Sequence, residues 1–234
     1  MGANPPSEIE TLHRVSLWRW LGIALSPLLL TTIALTILYT TVGRSPVPNT
    51  PSGVYAVSSV AVVGILFNWL SPVTRSKMLP FRIPSRQETA SAIVIALLIT
   101  VLIDPIAAHT ATVLGAGESS SDSLNSLSGT LVLAVSAILI APIVEEILFR
   151  GVVFDAIRVR YSATIAIVGS SLFFGGIHLL IGGVSGVVFS TLSGVLFGWM
   201  RLQYDNLTGP TLAHALGNTY SVVVMAGYLP AFFA

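Results

Sequence analysis

Of 234 residues, 53% are hydrophobic and only 9% charged, against roughly 25% charged in ordinary globular chains. Eleven basic and ten acidic side chains cannot cover a soluble fold of this size, which excludes a soluble enzyme, a nucleic-acid-binding domain and a disordered chain. The net charge of +1 points to no acidic partner, and without cysteine there is no disulfide, thiol nucleophile or Cys-ligated metal. What remains is an all-α, polytopic transmembrane helix bundle whose surroundings are the lipid bilayer.

Charge-free stretches mark the spans, since a transmembrane helix needs about 20 mostly apolar residues. Residues 20–43 supply the first; the stretch is too long for a cleaved leader and lacks a following A-x-A site, so it reads as a retained signal anchor. Residues 45–74 hold a second helix near 54–70, and 89–103 a third that carries Asp104 near its end. Residues 123–144 feed a fourth, which runs into Glu145 and Glu146. Residues 161–200 are too many for one span and divide at Gly182-Gly183, and 206–234 supply the last. The count is about seven. Residues 115–128, with Glu118 and Asp122, read as an external loop, and the segment around Pro80 and Pro84 as a cytoplasmic one. The chain thus divides into a cytoplasmic segment 1–16, helices and loops over 17–128, and a core over 129–234.

Basic residues gather in cytoplasmic loops. With seven spans, one side receives Arg14, Arg19, Arg75, Lys77, Arg82, Arg86, Arg158, Arg160 and Arg201, with Arg150 as a tenth unless it is intramembrane, and the other only Arg44. The N-terminus is expected in the cytoplasm and the C-terminus outside a cell membrane. Trp18, Trp20, Trp69 and Trp199 fall near span ends, where interfacial anchors sit.

Ionisable groups at membrane depth are expensive and therefore functional candidates. Glu146 and Arg150 are i, i+4 with the acid N-terminal, the favourable order for an ion pair. Glu145 points about 100° away and lacks that partner, so it can serve as a general base. The bland alternative is a helix that ends here with its charges among headgroups. His178 closes Phe174-Gly175-Gly176-Ile177-His178, where the glycines permit close approach or a break; it is either a catalyst or a satisfied core histidine. His214 and Asn218 share a face just after Gly209-Pro210, which reads as a helix start. They suit an oxyanion site or, equally, interhelical hydrogen bonds. Asp104, His109 and Asp205 fall near predicted helix ends and read as interfacial.

Taken together, Glu145-Glu146…Arg150, Phe174…His178 and His214…Asn218, in this order on successive hydrophobic segments, resemble the CAAX protease and bacteriocin-processing (CPBP) family of intramembrane proteases. The likeness covers about residues 129–220. It implies an intramembrane endopeptidase acting on a membrane-associated or prenylated peptide. Glu145 and His178 would activate water, Glu146 and Arg150 would brace the site, and His214 with Asn218 would stabilise the oxyanion. No cofactor is favoured, although Glu145, His178 and His214 could instead form a three-ligand zinc site. Three other readings compete: a rhomboid-like serine protease using Ser185 and His214, a proton-coupled transporter, and a non-catalytic scaffold.

One difficulty stands in the span count. It puts Glu145 near the cytoplasmic end of its helix and His178 about 15 residues into the next, ~22 Å deep. The two meet if the fourth helix continues past Arg150 to about Ile157, with a kink at Pro142.

Overall fold

The computed structural model describes residues 15–43, 47–116, 127–226 and 228. Arg14, Arg44, Glu118 and Asp122, and with them most of the predicted segment 1–16 and loop 115–128, lie outside the described residues. Eight helices account for the described chain, with no strand among them: α1 (Leu17–Thr41), α2 (Thr50–Trp69), α3 (Pro72–Met78), α4 (Arg86–Val113), α5 (Leu127–Arg158), α6 (Ala163–Ile177), α7 (Leu179–Tyr204) and α8 (Thr208–Met225). The all-α bundle expected from composition is what forms.

Five of these, α1, α2, α4, α5 and α7, are long and apolar enough to cross a membrane. The expected seven therefore needs two more, and α6 and α8 are the candidates: α6 is apolar but has only 15 residues, and α8 carries His214, Asn218 and Thr219 along its 18. Side chains such as Leu29, Ile65, Leu139 and Leu180 point outward from the bundle, an arrangement suited to lipid. The predicted loop around Pro80 contains the short α3, whose N-cap Ser71 accepts a hydrogen bond from the Thr74 amide.

Helix α5 is the centre, touched by α1, α2, α6, α7 and α8. It does continue past Arg150, ending at Arg158. Glu145 consequently lies 13 residues inside the helix, ~20 Å from that end. His178, 15 residues beyond the start of α6, reaches a comparable level. Reading the fourth span as ended at its carboxylates was the error that separated them.

Two prolines shape the long helices. Both Asp104-Pro105 and Ala141-Pro142 follow π-helical stretches, Ile99–Ile103 and Val135–Ile140. A proline has no N–H and its ring collides with the carbonyl four residues back; the widened turn absorbs that collision. Asp104 therefore lies within α4, nine residues before its end, and not at the terminus expected. A third π stretch, Ile147–Val153, directly follows the two carboxylates.

The 161–200 stretch divides into α6 and α7, which pack as a hairpin. The chain turns at His178, and the helix is interrupted again at Gly183, within the predicted Gly182-Gly183 pair. Gly183 itself takes φ +58° and ψ −148°, open only to glycine without strain. Gly175 supplies the close approach: a Cβ there would fall 2.8 Å from the Val187 carbonyl. Trp20, expected as an interfacial anchor, is instead fully buried against Trp69, with ring centroids 5.8 Å apart.

Candidate active site

The carboxylates sit at the midpoint of α5, where the helix is enclosed on all sides: Glu146 and Arg150 are 0% exposed and Glu145 4%. Their spacing gives the predicted pair, with Arg150 Nε 3.3 Å from Glu146 Oε2. The pair is not aligned as a hydrogen bond, and the guanidinium has no hydrogen-bond partner among the described residues. It is packed instead between aromatic rings, its Cζ 4.5 Å from the Phe174 centroid and 5.2 Å from that of Phe197.

Helix α8 brings His214 between both acids. Its Nδ1 is 3.0 Å from Glu146 Oε1, and its Nε2 is 3.7 Å from Glu145 Oε2. An ionised carboxylate only accepts, so Nδ1 carries the hydrogen of the shorter contact. Glu145 is thus not without neighbours, as its position on the helix suggested. A second neighbour is the Tyr55 phenol from α2, which lies beside the Glu145 carboxylate.

His178 caps α6, and its Nδ1 lies 2.8 Å from the Phe174 carbonyl. A carbonyl accepts, so Nδ1 is the donor and, in the neutral ring, Nε2 is left as the basic nitrogen. No direct polar contact joins His178 to Glu145 among the described residues; Phe174 packs against both imidazoles, 4.7 Å from the His178 ring and 6.0 Å from that of His214. Among the described residues no three His, Asp or Glu side chains are grouped to hold a metal ion. Glu145, His178 and His214 as they stand do not make a three-ligand zinc set.

Asn218 follows His214 on the same face, and its Nδ2 donates to the Ala137 carbonyl at 2.7 Å. The reason lies in Pro142. In the π turn the Ala141 N–H bonds the Ser136 carbonyl, and the next donor in that pattern would be residue 142, which is proline. Ala137 is left without its in-helix partner, and Asn218 supplies one. The amide's other hydrogen is uncommitted by that bond. Arg201 also reaches the third π stretch, where its Nε donates to the Arg150 carbonyl at 3.3 Å.

Below the carboxylates a charged layer closes the bundle. Arg201 pairs with Asp155 at 3.1 Å and also with Asp205, which Arg82 contacts in turn. Asp205 is at the exposed helix end expected of it. Glu88, in the first turn of α4, accepts from the Gly209 amide at 2.9 Å and from Asn206 Nδ2 at 3.1 Å, and so caps the helix that carries His214. Neither Glu88 nor Tyr55 figured among the expected site residues. For Glu88 a signal existed, because Ser85-Arg86-Gln87-Glu88 has the capping-box spacing, and Ser85 Oγ does accept from the Glu88 amide. For Tyr55 there was none.

Two cavities, of about 460 Å³ beside Asp155 and Arg201 and about 420 Å³ beside Trp69, lie away from the carboxylates. Burial of Glu145 and Glu146 is the better guide to the chemistry, since a group that is costly to bury is retained for a reason. His214 faces these acids, not Ser185, which removes the geometric basis for a serine dyad.

The profile of the family described as Type II CAAX prenyl endopeptidase Rce1-like matches residues 127–220. That segment, under half of the chain, is similar to the Rce1-like family. It contains Glu145, Glu146, Arg150, His178, His214 and Asn218, while Tyr55 and Glu88 lie outside it. No curated protein and no solved structure matches the chain.

Proposed function

We propose that the protein is an intramembrane endopeptidase of the CAAX type, cutting a membrane-associated or prenylated peptide with a water activated by Glu145. The observation that carries this reading is the division of labour between the two acids. Arg150 pairs with Glu146, whereas the near polar neighbours of Glu145 among the described residues are His214 Nε2 and the Tyr55 phenol. Glu145, assisted by the bare Nε2 of His178, takes a proton from water as the oxygen attacks the peptide carbonyl carbon. The C=O π electrons move to oxygen, and the His214 imidazolium, its Nδ1–H held by Glu146, donates its Nε2–H to that oxyanion together with the second Asn218 N–H. The intermediate collapses as the C–N bond breaks, and the proton held by Glu145 passes to the leaving amine.

His178 and Asn218 take these roles when the substrate backbone enters beside Phe174, because each is tied elsewhere without it. The closed site requires an opening motion before the scissile bond reaches Glu145, as in enzymes whose lids gate turnover. The end bearing Lys77, Arg82, Arg158 and Arg201 faces the cytoplasm on this reading, by the basic-residue rule.

The test is purified protein in liposomes with a panel of prenylated and unprenylated membrane peptides. Cleavage by the wild type and none by Glu145→Ala is expected, together with elemental analysis showing no stoichiometric metal in active protein. Equal cleavage by both would remove Glu145 from the mechanism. Stoichiometric zinc that leaves together with activity would replace it by the metal route.

A further inference from the structure

We propose that Phe197, on α7, is a positioning residue of this site, holding the His214 imidazole and the Arg150 guanidinium in register on one ring. The inference rests on the protease reading above and adds a residue outside its three motifs.

The geometry is specific. The Phe197 ring stacks on His214 with centroids 5.1 Å apart and planes 20° from parallel. The same ring lies 5.2 Å from Arg150 Cζ, and it is 2% exposed. In the plane of the imidazole, Nδ1 is bonded to Glu146 and Nε2 faces Glu145. An in-plane bond leaves the ring free to tilt about that bond. A flat ring on its face removes the freedom, and Phe174 approaches His214 edge-on at 74°. The ring quadrupole also suits a cation on its face, and Arg150 is a buried cation with no hydrogen-bond partner among the described residues. Room for the guanidinium comes from Gly194, one turn earlier on α7, where a Cβ would fall 3.0 Å from Arg150 Nη2. Phe197 and Gly194 together make α7 the wall on which both partners of Glu146 rest.

An oxyanion donor is effective only when it is already aimed, so the effect belongs in turnover and not in substrate binding. The experiment compares Phe197→Leu with Phe149→Leu. Phe149 is equally buried and packs on Phe173 and Phe174, with ring centroids 6.1 and 4.9 Å away. Both changes lower stability. Phe197→Leu alone is expected to lower kcat about tenfold, the upper range for one aromatic contact, with KM unchanged within about twofold. In ¹⁵N spectra of histidine-labelled protein, the slowly exchanging Nδ1–H of His214 is expected in the wild type and in Phe149→Leu, and lost in Phe197→Leu. Equal kcat losses in the two variants, or wild-type kcat in Phe197→Leu, would overturn the proposal. If wild-type protein cuts no peptide, the protease reading falls, and the ¹⁵N signal alone then decides. Its persistence in Phe197→Leu, or its loss in both variants, counts against the clamp.

Discussion

Helices α1 and α2 bury Trp20, Ala24, Val62 and Leu66, with no charged group among their buried residues, whereas α5 and α8 bury Glu145, Glu146, Arg150 and His214. An apolar side chain in a membrane bundle gains packing and needs no particular partner, because the lipid outside is as apolar as the interior. A buried charge must find an opposite charge or a polar neighbour, and each neighbour must be held in place. The second half of the chain therefore specifies its geometry far more tightly. The first half acts as a wall, with two exceptions: Tyr55 reaches Glu145, and Glu88 fixes the start of α8.

The largest expected effect tests the charged side of this contrast. Glu146→Ala leaves Arg150 buried without its counter-ion and His214 Nδ1 without its acceptor, which should cost about 3–5 kcal/mol of stability. Unfolding in detergent, monitored by heat or denaturant, reads it directly. The change should cost at least as much as Leu66→Ala in α2, for which about 2–5 kcal/mol is expected from the lost contacts and cavity. A mild Glu146→Ala would mean that the cluster is not a buried, mutually neutralised set.

Glu145→Gln separates chemistry from stability within the same helix. The amide keeps the shape and the Tyr55 neighbour but cannot take a proton from water. The fold should survive while turnover falls by at least about 10²-fold, the low end for general-base catalysis. Single-turnover rates against an unchanged melting transition make the comparison. Near-wild-type turnover would leave α5 with a structural ion pair and no base.

Glu88→Ala crosses to the other half. It removes the acceptor of the Gly209 amide and of Asn206, a capping loss of about 1–2 kcal/mol. Because the contact is with the end of α8 and not with its catalytic face, melting should change more than kcat. A kcat loss as large as that of Glu145→Gln, at modest cost in stability, would erase the distinction between wall and site.

Much of this arrangement was legible from residue types. The charge-free stretches located α1 and α2, and the i, i+4 spacing gave the Glu146–Arg150 pair. The ordered motifs pointed to the segment that the family profile matches. Depth was not legible. Glu145, Glu146 and Arg150 look like the end of a span to any rule that counts charges, and only their mutual neutralisation lets α5 run on to Arg158. The π turns were equally hidden, although Asp104-Pro105 and Ala141-Pro142 offered a cue. Once the turn before Pro142 is seen to free the Ala137 carbonyl, the amide of Asn218 has a structural duty besides any catalytic one. Tyr55 was out of reach because a tyrosine in an apolar span resembles any packing aromatic until its partner, 90 residues away in sequence, is placed beside it.

Tyr55→Phe is the smallest predicted effect and the finest test of the contrast. The ring is retained, so packing against Ser59 and the α5 face changes little, and melting should stay within about 0.5 kcal/mol of wild type, as for most changes that create no cavity or buried charge. What is lost is the hydroxyl beside the Glu145 carboxylate. A hydrogen bond to a charged group is worth about 1.5–3 kcal/mol where it is fully formed, but Glu145 retains His214 Nε2 at 3.7 Å as a second neighbour. The expected loss is therefore nearer the neutral range of about 0.5–1.5 kcal/mol, a two- to tenfold fall in kcat at about that conversion. If Tyr55 orients Glu145, the double variant with Glu145→Gln should fall no further than Glu145→Gln alone, because the base it orients is already gone. Independent, multiplicative losses would show instead that Tyr55 acts elsewhere, as part of the wall and not of the site.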